Sequence, residues 1–281
     1  MQVGVGLPNA VPRTSGDDLV EFARRADQRG FSSLGTIDRI VYGNYEPLAA
    51  LAAAAVVTER IGLMTSVMLG PLRLNAVQTA KQALSVNELS GGRLTLGIGI
   101  GARGDDFEAS GVEYEDTGAK LDTMLGYLTD GFADERIGPR GAGIPRILLG
   151  GHVEASFKRA AKHGAGWIAG GAPPDQYAQM AAGVKQAFSE AGREGEPHLA
   201  GLAYYSLGDG AEQHADEYLN DYYAFLGAET AQMIAGSAAT DAETVKGYLS
   251  AFEDDGCGEL ILFPCSSDPD QVDLLAEAAG L

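Results

Sequence analysis

The chain has 281 residues, 45% hydrophobic and 21% charged, which is an ordinary length and apolar share for one α/β barrel. Its net charge of −19 argues against a nucleic-acid partner, which needs clustered Lys and Arg, and its two cysteines, Cys257 and Cys265, have neither metal-ligand spacing nor a disulfide framework. The opening Met-Gln-Val-Gly-Val-Gly reads as a strand and not as a signal peptide, and the longest apolar helical run, 48–57, is too short for a bilayer, so the expectation is a cytoplasmic protein with no membrane contact.

Residues 3–7 read as the first strand. The helix after it has a Ser15-Gly16-Asp17 entry, apolar positions at Leu19, Phe22, Ala23 and Ala26, and a Gly30 stop. The second strand is 34–37. Pro47 opens the next helix, 48–59, whose alanines suit close packing on a sheet. A third strand over 62–69 leads to a helix over 76–89 that stops at Gly91-Gly92, and the fourth strand is 94–100. A polar loop and a helix over 120–132 precede the fifth strand, 146–149. A helix over 154–163 ends at Gly164, before a short sixth strand, 166–169. The helix 174–191, the seventh strand 200–206, helical stretches over 211–225 and 240–255, the eighth strand 259–263 and an amphipathic piece over 270–279 complete the chain.

Eight strand-like runs separated by helices predict parallel βα units, and near-continuous apolar strands fit a sheet covered on both faces. No linker divides the chain, so residues 1–281 read as a single domain, a (β/α)8 TIM barrel of the α/β class. An open doubly wound sheet is the rival, and eight units in this length favour closure.

In such a barrel the site lies at the C-terminal ends of the strands. That rule singles out Asp38-Arg39, Ser66-Val67, Gly99-Ile100-Gly101 and Gly150-Gly151-His152, with Pro8-Asn9, Gly170-Gly171, Tyr204-Tyr205 and Phe263-Pro264-Cys265. Gly99-Ile-Gly101-Ala-Arg-Gly104 matches a dinucleotide-binding spacing, but Asp105 and Asp106 follow it and would repel a pyrophosphate. The glycines can instead let a strand turn, or offer bare backbone to a flat ring. Gly150-Gly151-His152, directly before a helix carrying Ser156, forms either an anion site on the helix terminus or a plain turn. Glu154 counts against phosphate unless it points away. Asp38 and Arg39 form either a surface ion pair of little energy or, as a polar pair at the barrel mouth, the candidate catalytic residues. Tyr42, Tyr45, Tyr204 and Tyr205 can stack on a ligand or simply pack, whereas Tyr222 and Tyr223, on a helix, read as packing and Trp167 as core. The long stretch 208–240 is a candidate lid. No histidines pair at metal spacing, and neither a G-x-S-x-G elbow nor a P-loop occurs. Such a barrel suggests that a bound cofactor carries the reaction.

The order of Glu46-Pro47-Leu48, Thr58-Glu59-Arg60-Ile61, Thr65-Ser66-Val67, Lys81-Gln82-Ala83, Leu89-Ser90-Gly91-Gly92-Arg93-Leu94, Leu96-Gly97-Ile98-Gly99, Phe107 to Val112, Arg146 to Gly151 and Leu260 to Pro264 resembles the bacterial luciferase-like monooxygenase superfamily, across essentially the whole chain. The resemblance implies an oxidoreductase using FMN or the deazaflavin F420. It implies a non-prolyl cis peptide at Ser66-Val67 that backs the isoalloxazine ring. It also implies Gly99, Ile100 and Gly101 beside the ring, and the phosphate near Gly151, His152, Val153 and Ser156. Relatives often carry a histidine where this chain has Asp38-Arg39, and F420-dependent sugar-phosphate dehydrogenases place a Glu where it has Ala102. Luciferase itself has a Cys and a phosphate-binding Arg where this chain has Gly99 and Ile100.

Three functions follow. The first is a monooxygenase taking reduced FMN, delivered by a separate flavin reductase, with O2 and a small organic substrate. The second is an F420-dependent hydride-transfer enzyme. Arg39 or Arg103 can attract an anionic substrate or cofactor group. The third is a non-catalytic flavin-binding protein, for which a barrel with missing strands would be the cue. The resemblance also implies a homodimer, and the small residues 49–55 can serve its contact or pack on the barrel.

Overall fold

The structure, a computed structural model, describes residues 1–171 and 173–281. Eight parallel strands close a barrel in chain order, β1 to β8. They are β1 (Gln2–Gly6), β2 (Ser33–Thr36), β3 (Gly62–Leu69), β4 (Leu94–Gly99), β5 (Arg146–Gly150), β6 (Gly166–Ile168), β7 (His198–Tyr205) and β8 (Glu259–Pro264). The helices α1 (Gly16–Arg29), α2 (Pro47–Ala55), α3 (Ala76–Leu89), α4 (Gly104–Ala109), α5 (Thr117–Ala133), α6 (Glu154–His163), α7 (Pro174–Glu190), α8 (Ala211–Tyr222), α9 (Ala228–Ala235), α10 (Ala242–Asp254) and α11 (Asp270–Ala279) connect and surround them. This is the single (β/α)8 TIM barrel that the alternation predicts, closed by pairing of β1 with β8.

Local chemistry sets the helix limits. Ser15 and Asp18 form a reciprocal capping box at the start of α1, and Gly30 ends it in the left-handed conformation at φ 86°. Asn75 and Asp241 cap α3 and α10 by accepting from the third amide beyond. The apolar faces form two main clusters. One joins helix side chains such as Phe22, Leu51, Leu84 and Leu128 to outward-facing strand residues such as Leu260 and Leu262. The other runs from Met64, Leu148, Ile168 and Ile261 up to Tyr204, Tyr218 and Tyr222. Ala50, Leu51, Ala54 and Ala55 of α2 are buried and pack within the barrel shell, while Ala49 on the same helix is exposed.

Several limits differ from expectation. The helix expected over 48–59 ends at Ala55, because Asp27 accepts from the amides of Glu59, Arg60 and Ile61 and thereby holds a loop instead of another helical turn. The expected polar loop after β4 contains the short α4. The stretch expected as one helix over 211–225 stops at Tyr222, and after a single 3-10 turn at Ala224–Leu226 the chain forms α9. No helix among the described residues is long and apolar enough to cross a membrane.

Candidate active site

A cavity of about 590 Å³ opens at the C-terminal ends of the strands, the end of such barrels that carries ligand chemistry. Asp38, Arg39, Ser66, Val67, Gly99, Ile100, Gly101, Gly151, His152, Val153 and Ser156 all line it, so the residues picked out from strand ends and from the resemblance meet in one place.

The floor is built by β3. Its register with β4 shifts between Thr65 and Met68, and the Ser66–Val67 peptide is cis. Side chains at Gly97, Gly99 and Gly150 would meet Val67, with an added Cβ on Gly99 only 2.6 Å from Val67 Cγ2. The space over these glycines is therefore filled by Val67 and is not bare backbone, which corrects the simplest reading of Gly99-Ile100-Gly101. Ser66 Oγ is buried without a hydrogen-bond partner, and a neutral hydroxyl left so in a binding cavity is a natural contact for a ligand.

Asp38 and Arg39 do not form the surface pair envisaged from sequence. Both are buried and each has its own partners. Asp38 Oδ2 accepts from Leu69 N at 2.9 Å and from Arg73 Nη2 at 2.7 Å, while Oδ1 has no partner. Burial pushes the Asp38 carboxyl above the usual carboxylate range, against the pull of the Arg73 guanidinium. Arg39 donates through Nε to Asp106 at 2.7 Å and through Nη2 to Asp105 at 2.8 Å. Asp106 in turn accepts from the amides of Ile40 and Val41. The helix that opens after the Gly99–Gly104 motif thus carries two acids neutralising Arg39, and its first turn suits a cation rather than a pyrophosphate.

The opposite wall is the turn from β5 into α6. Trp167 Nε1 donates to Gly151 O at 2.7 Å and fixes the turn from beneath. Gly151 has φ 140°, and a Cβ there would stand 2.6 Å from Ser156 Cβ. Ser156 Oγ donates to Val153 O at 2.6 Å and lies 3.3 Å from Val153 N. Glu154 faces solvent and pairs with Lys158, so it leaves the first turn of α6 open to an anion. His152 is exposed at the rim.

The cover comes from β7 and the chain after α8. Tyr204, Tyr222, Tyr223 and Phe225 line the cavity, and the Tyr204 and Tyr223 hydroxyls are 2.9 Å apart. Burial pushes the Tyr204, Tyr222 and Tyr223 phenols above their usual value, so they stay neutral at physiological pH and cannot act as bases there. The Arg103 guanidinium carbon lies 4.1 Å from the Tyr222 ring centroid and 4.0 Å from that of Phe225. Tyr205 instead donates to Gln271 O in the core. Cys265 is buried, and burial raises its thiol so that it remains protonated.

Tyr222 and Tyr223, read from sequence as packing, are thus both packed and cavity-lining, and Phe225, Phe107, Thr117 and Arg159 join them. The one available signal was the density of aromatics between 218 and 225 inside the candidate lid.

The donor set fits a ring with a polar edge and a phosphate tail: unpartnered Ser66 Oγ and Asp38 Oδ1, an open α6 terminus and an aromatic cover. A family model described as luciferase-like monooxygenase matches residues 1–278. An uncharacterized protein of Mycobacterium tuberculosis is 30% identical over 240 residues, covering 72% of this chain and 82% of that protein. The monooxygenase RslO1 from Streptomyces bottropensis superposes with a TM-score of 0.82 at 21% identity, covering 99% of this chain and 98% of that one. An F420-dependent secondary alcohol dehydrogenase, solved with an F420-acetone adduct, also reaches 0.82 at 17% identity, covering 99% and 97%.

Proposed function

The chain belongs to the luciferase-like monooxygenase family, whose members use FMN or F420, and from that premise we propose that it is an FMN-dependent monooxygenase acting on a small organic substrate. The observation that carries this reading is the pair of buried, unpartnered oxygens, Ser66 Oγ and Asp38 Oδ1, in a cavity that also receives the open terminus of α6. Reduced FMN, if held there, would supply the two electrons that let one oxygen atom of O2 enter the substrate while the other leaves, with two protons, as water.

The chain's own residues then position, cover and shield. Ser66 and Val67 support the ring, and Ser66 Oγ and Asp38 Oδ1 offer hydrogen bonds to its polar edge. Gly151, His152, Val153 and Ser156 receive the phosphate, where first-turn amides and the helix dipole favour negative charge. Tyr204, Tyr222, Tyr223 and Phe225 close over the cavity and exclude water, which would otherwise divert a reactive cofactor. Arg39, held by the carboxylates of Asp105 and Asp106, ties the end of β2 to α4 and so serves to position that helix. Delivery of reduced FMN by a separate reductase, and a homodimeric state, belong to the same reading.

Hydride transfer with F420 is the second reading, supported by the likeness to the F420-dependent alcohol dehydrogenase. Titration of the purified chain with FMN, reduced FMN and F420 decides between them. The expected result is reduced FMN binding below about 10 μM, with F420 at least tenfold weaker, and substrate-dependent oxygen uptake. Tighter F420 binding would reverse the order of the two readings. Binding of none of them more tightly than about 1 mM would sink both.

A further inference from the structure

We infer that Arg103 is the recognition group for a carboxylate of the substrate, held on the cover side of the cavity. The charged side chains that line the cavity are Asp38, Arg39, Arg103, Asp106 and Arg159. Four of the five are matched: Asp38 with Arg73, Arg39 with Asp105 and Asp106, and Arg159 with Asp122 at 2.7 Å. Arg103 has no carboxylate partner among the described residues. It is 8% exposed, and its one acceptor among the described residues is Tyr222 O, 2.5 Å from Nη1.

The guanidinium carbon stands 4.1 Å from the Tyr222 ring centroid and 4.0 Å from that of Phe225, and the N–H donors of a planar guanidinium point outward along its edges. One edge takes Tyr222 O. The rest belong to a planar fork whose geometry matches a carboxylate with two parallel hydrogen bonds. An uncharged side chain would fill an aromatic slot at lower desolvation cost than a guanidinium. The charge therefore has a use, and in a chain of net charge −19 it gives the cavity a local site for an anion. The phosphate of the proposed cofactor already has the α6 turn, on a different βα loop. The inference rests on the FMN reading only for the statement that the second anion is the substrate's.

The test uses the purified chain, and calorimetry with aliphatic and aromatic acids against their uncharged amides, beginning with benzoate and benzamide. Wild type is expected to prefer the acids by tenfold or more. Arg103→Met is expected to abolish that preference, and Arg103→Lys to restore it in part, with circular dichroism reporting the fold of each variant. FMN and F420 affinities should change less than twofold in Arg103→Met. Equal binding of acids and amides, or no acid binding below 10 mM, overturns the inference. So does an Arg103→Met variant that weakens FMN or F420 but leaves the acid preference intact, since the guanidinium would then serve the cofactor. If neither cofactor binds while the acid preference persists and depends on Arg103, the cofactor reading fails and the anion site stands.

Discussion

A Cβ on Gly97 would stand 2.0 Å from Thr65 O, whereas one on Gly99 would stand 2.6 Å from Val67 Cγ2. The two glycines therefore fail differently. At Gly97 the obstacle is backbone of the neighbouring strand, which cannot yield without breaking the β3–β4 ladder. At Gly99 the obstacle is a side chain with the open cavity beyond it. Gly99→Ala is expected to push Val67 toward the cavity at a cost of about 1–3 kcal/mol in stability, the range for overpacking. Because Val67 is proposed to support the ring, cofactor affinity should fall about tenfold, equivalent to ~1.4 kcal/mol. Urea midpoints and titration with whichever of FMN or F420 the wild type binds read the two effects separately. A Gly99→Ala variant with unchanged affinity would show that Val67 does not support the ring.

Among the elements, the turn between α3 and β4 does more than reverse the chain. Gly91 and Gly92, at φ 66° and 90°, deliver Arg93 into the gap between α2 and β3. Its guanidinium donates to Ser90 O, Thr58 Oγ1, Ile61 O, Ala55 O and Thr58 O, at 2.6–3.1 Å. It thus satisfies carbonyls that the end of α2 leaves open. Arg93→Met strips partners from Ala55, Thr58 and Ile61 together. At about 1–3 kcal/mol for each fully buried group, discounted for partial water access, the expected loss is about 2–4 kcal/mol. Lysine lacks the fork and should recover less than half. Urea unfolding should show a lower midpoint at unchanged slope; a shift equivalent to less than ~0.5 kcal/mol would mean that water replaces the guanidinium.

At this scale the strands are the legible part, since apolar runs such as Leu260-Ile261-Leu262-Phe263 need cover on both faces. Even so β7 begins at His198, two residues before the apolar run suggests, because pairing with Gly166 extends it. Helices α4 and α9, with six and eight residues, are too short to show a period. The site divides the same way. Asp38, Ser66, Gly99 and Gly151 follow from parallel strands bringing their C-terminal ends to one face. Tyr222, Tyr223 and Phe225 reach that face only because the end of α8 and the turn after it fold back over it, and apart from the aromatic density at 218–225 no local pattern encodes that return. Arg73, the partner of Asp38, is likewise a matter of tertiary placement.

Across the whole molecule, the charge balance makes opposing demands on stability as pH falls. With 39 acidic and 20 basic side chains, protonating carboxylates relieves self-repulsion and favours the compact state. Carboxylates that are tied in the fold act the other way. Glu259 is the best placed of these, because it joins three strands at the closed end of the barrel. It accepts from Ser32 Oγ and Ser33 Oγ, at 2.6 and 2.7 Å, beside β2, and its Oε2 lies 3.2 Å from His198 Nε2 on β7. Burial opposes its charge, but the hydrogen bonds from His198, Ser32 and Ser33 outweigh that and hold its carboxyl below the usual 4.5. A carboxyl whose folded value is depressed contributes stability that is complete above its unfolded value and is lost as pH falls through the folded one. Glu259→Gln removes the titration but keeps the shape. The variant should therefore be less stable than wild type at pH 7, and the gap should close as pH falls below 4.5 and wild-type Glu259 protonates. Chemical unfolding of both proteins from pH 7 to pH 3 measures it. A gap of equal size at both ends would assign the loss to altered packing and not to the carboxylate's charge. Since the general relief of repulsion acts on both proteins alike, it cancels in the difference, and the narrowing reports on this one group at the barrel's closure.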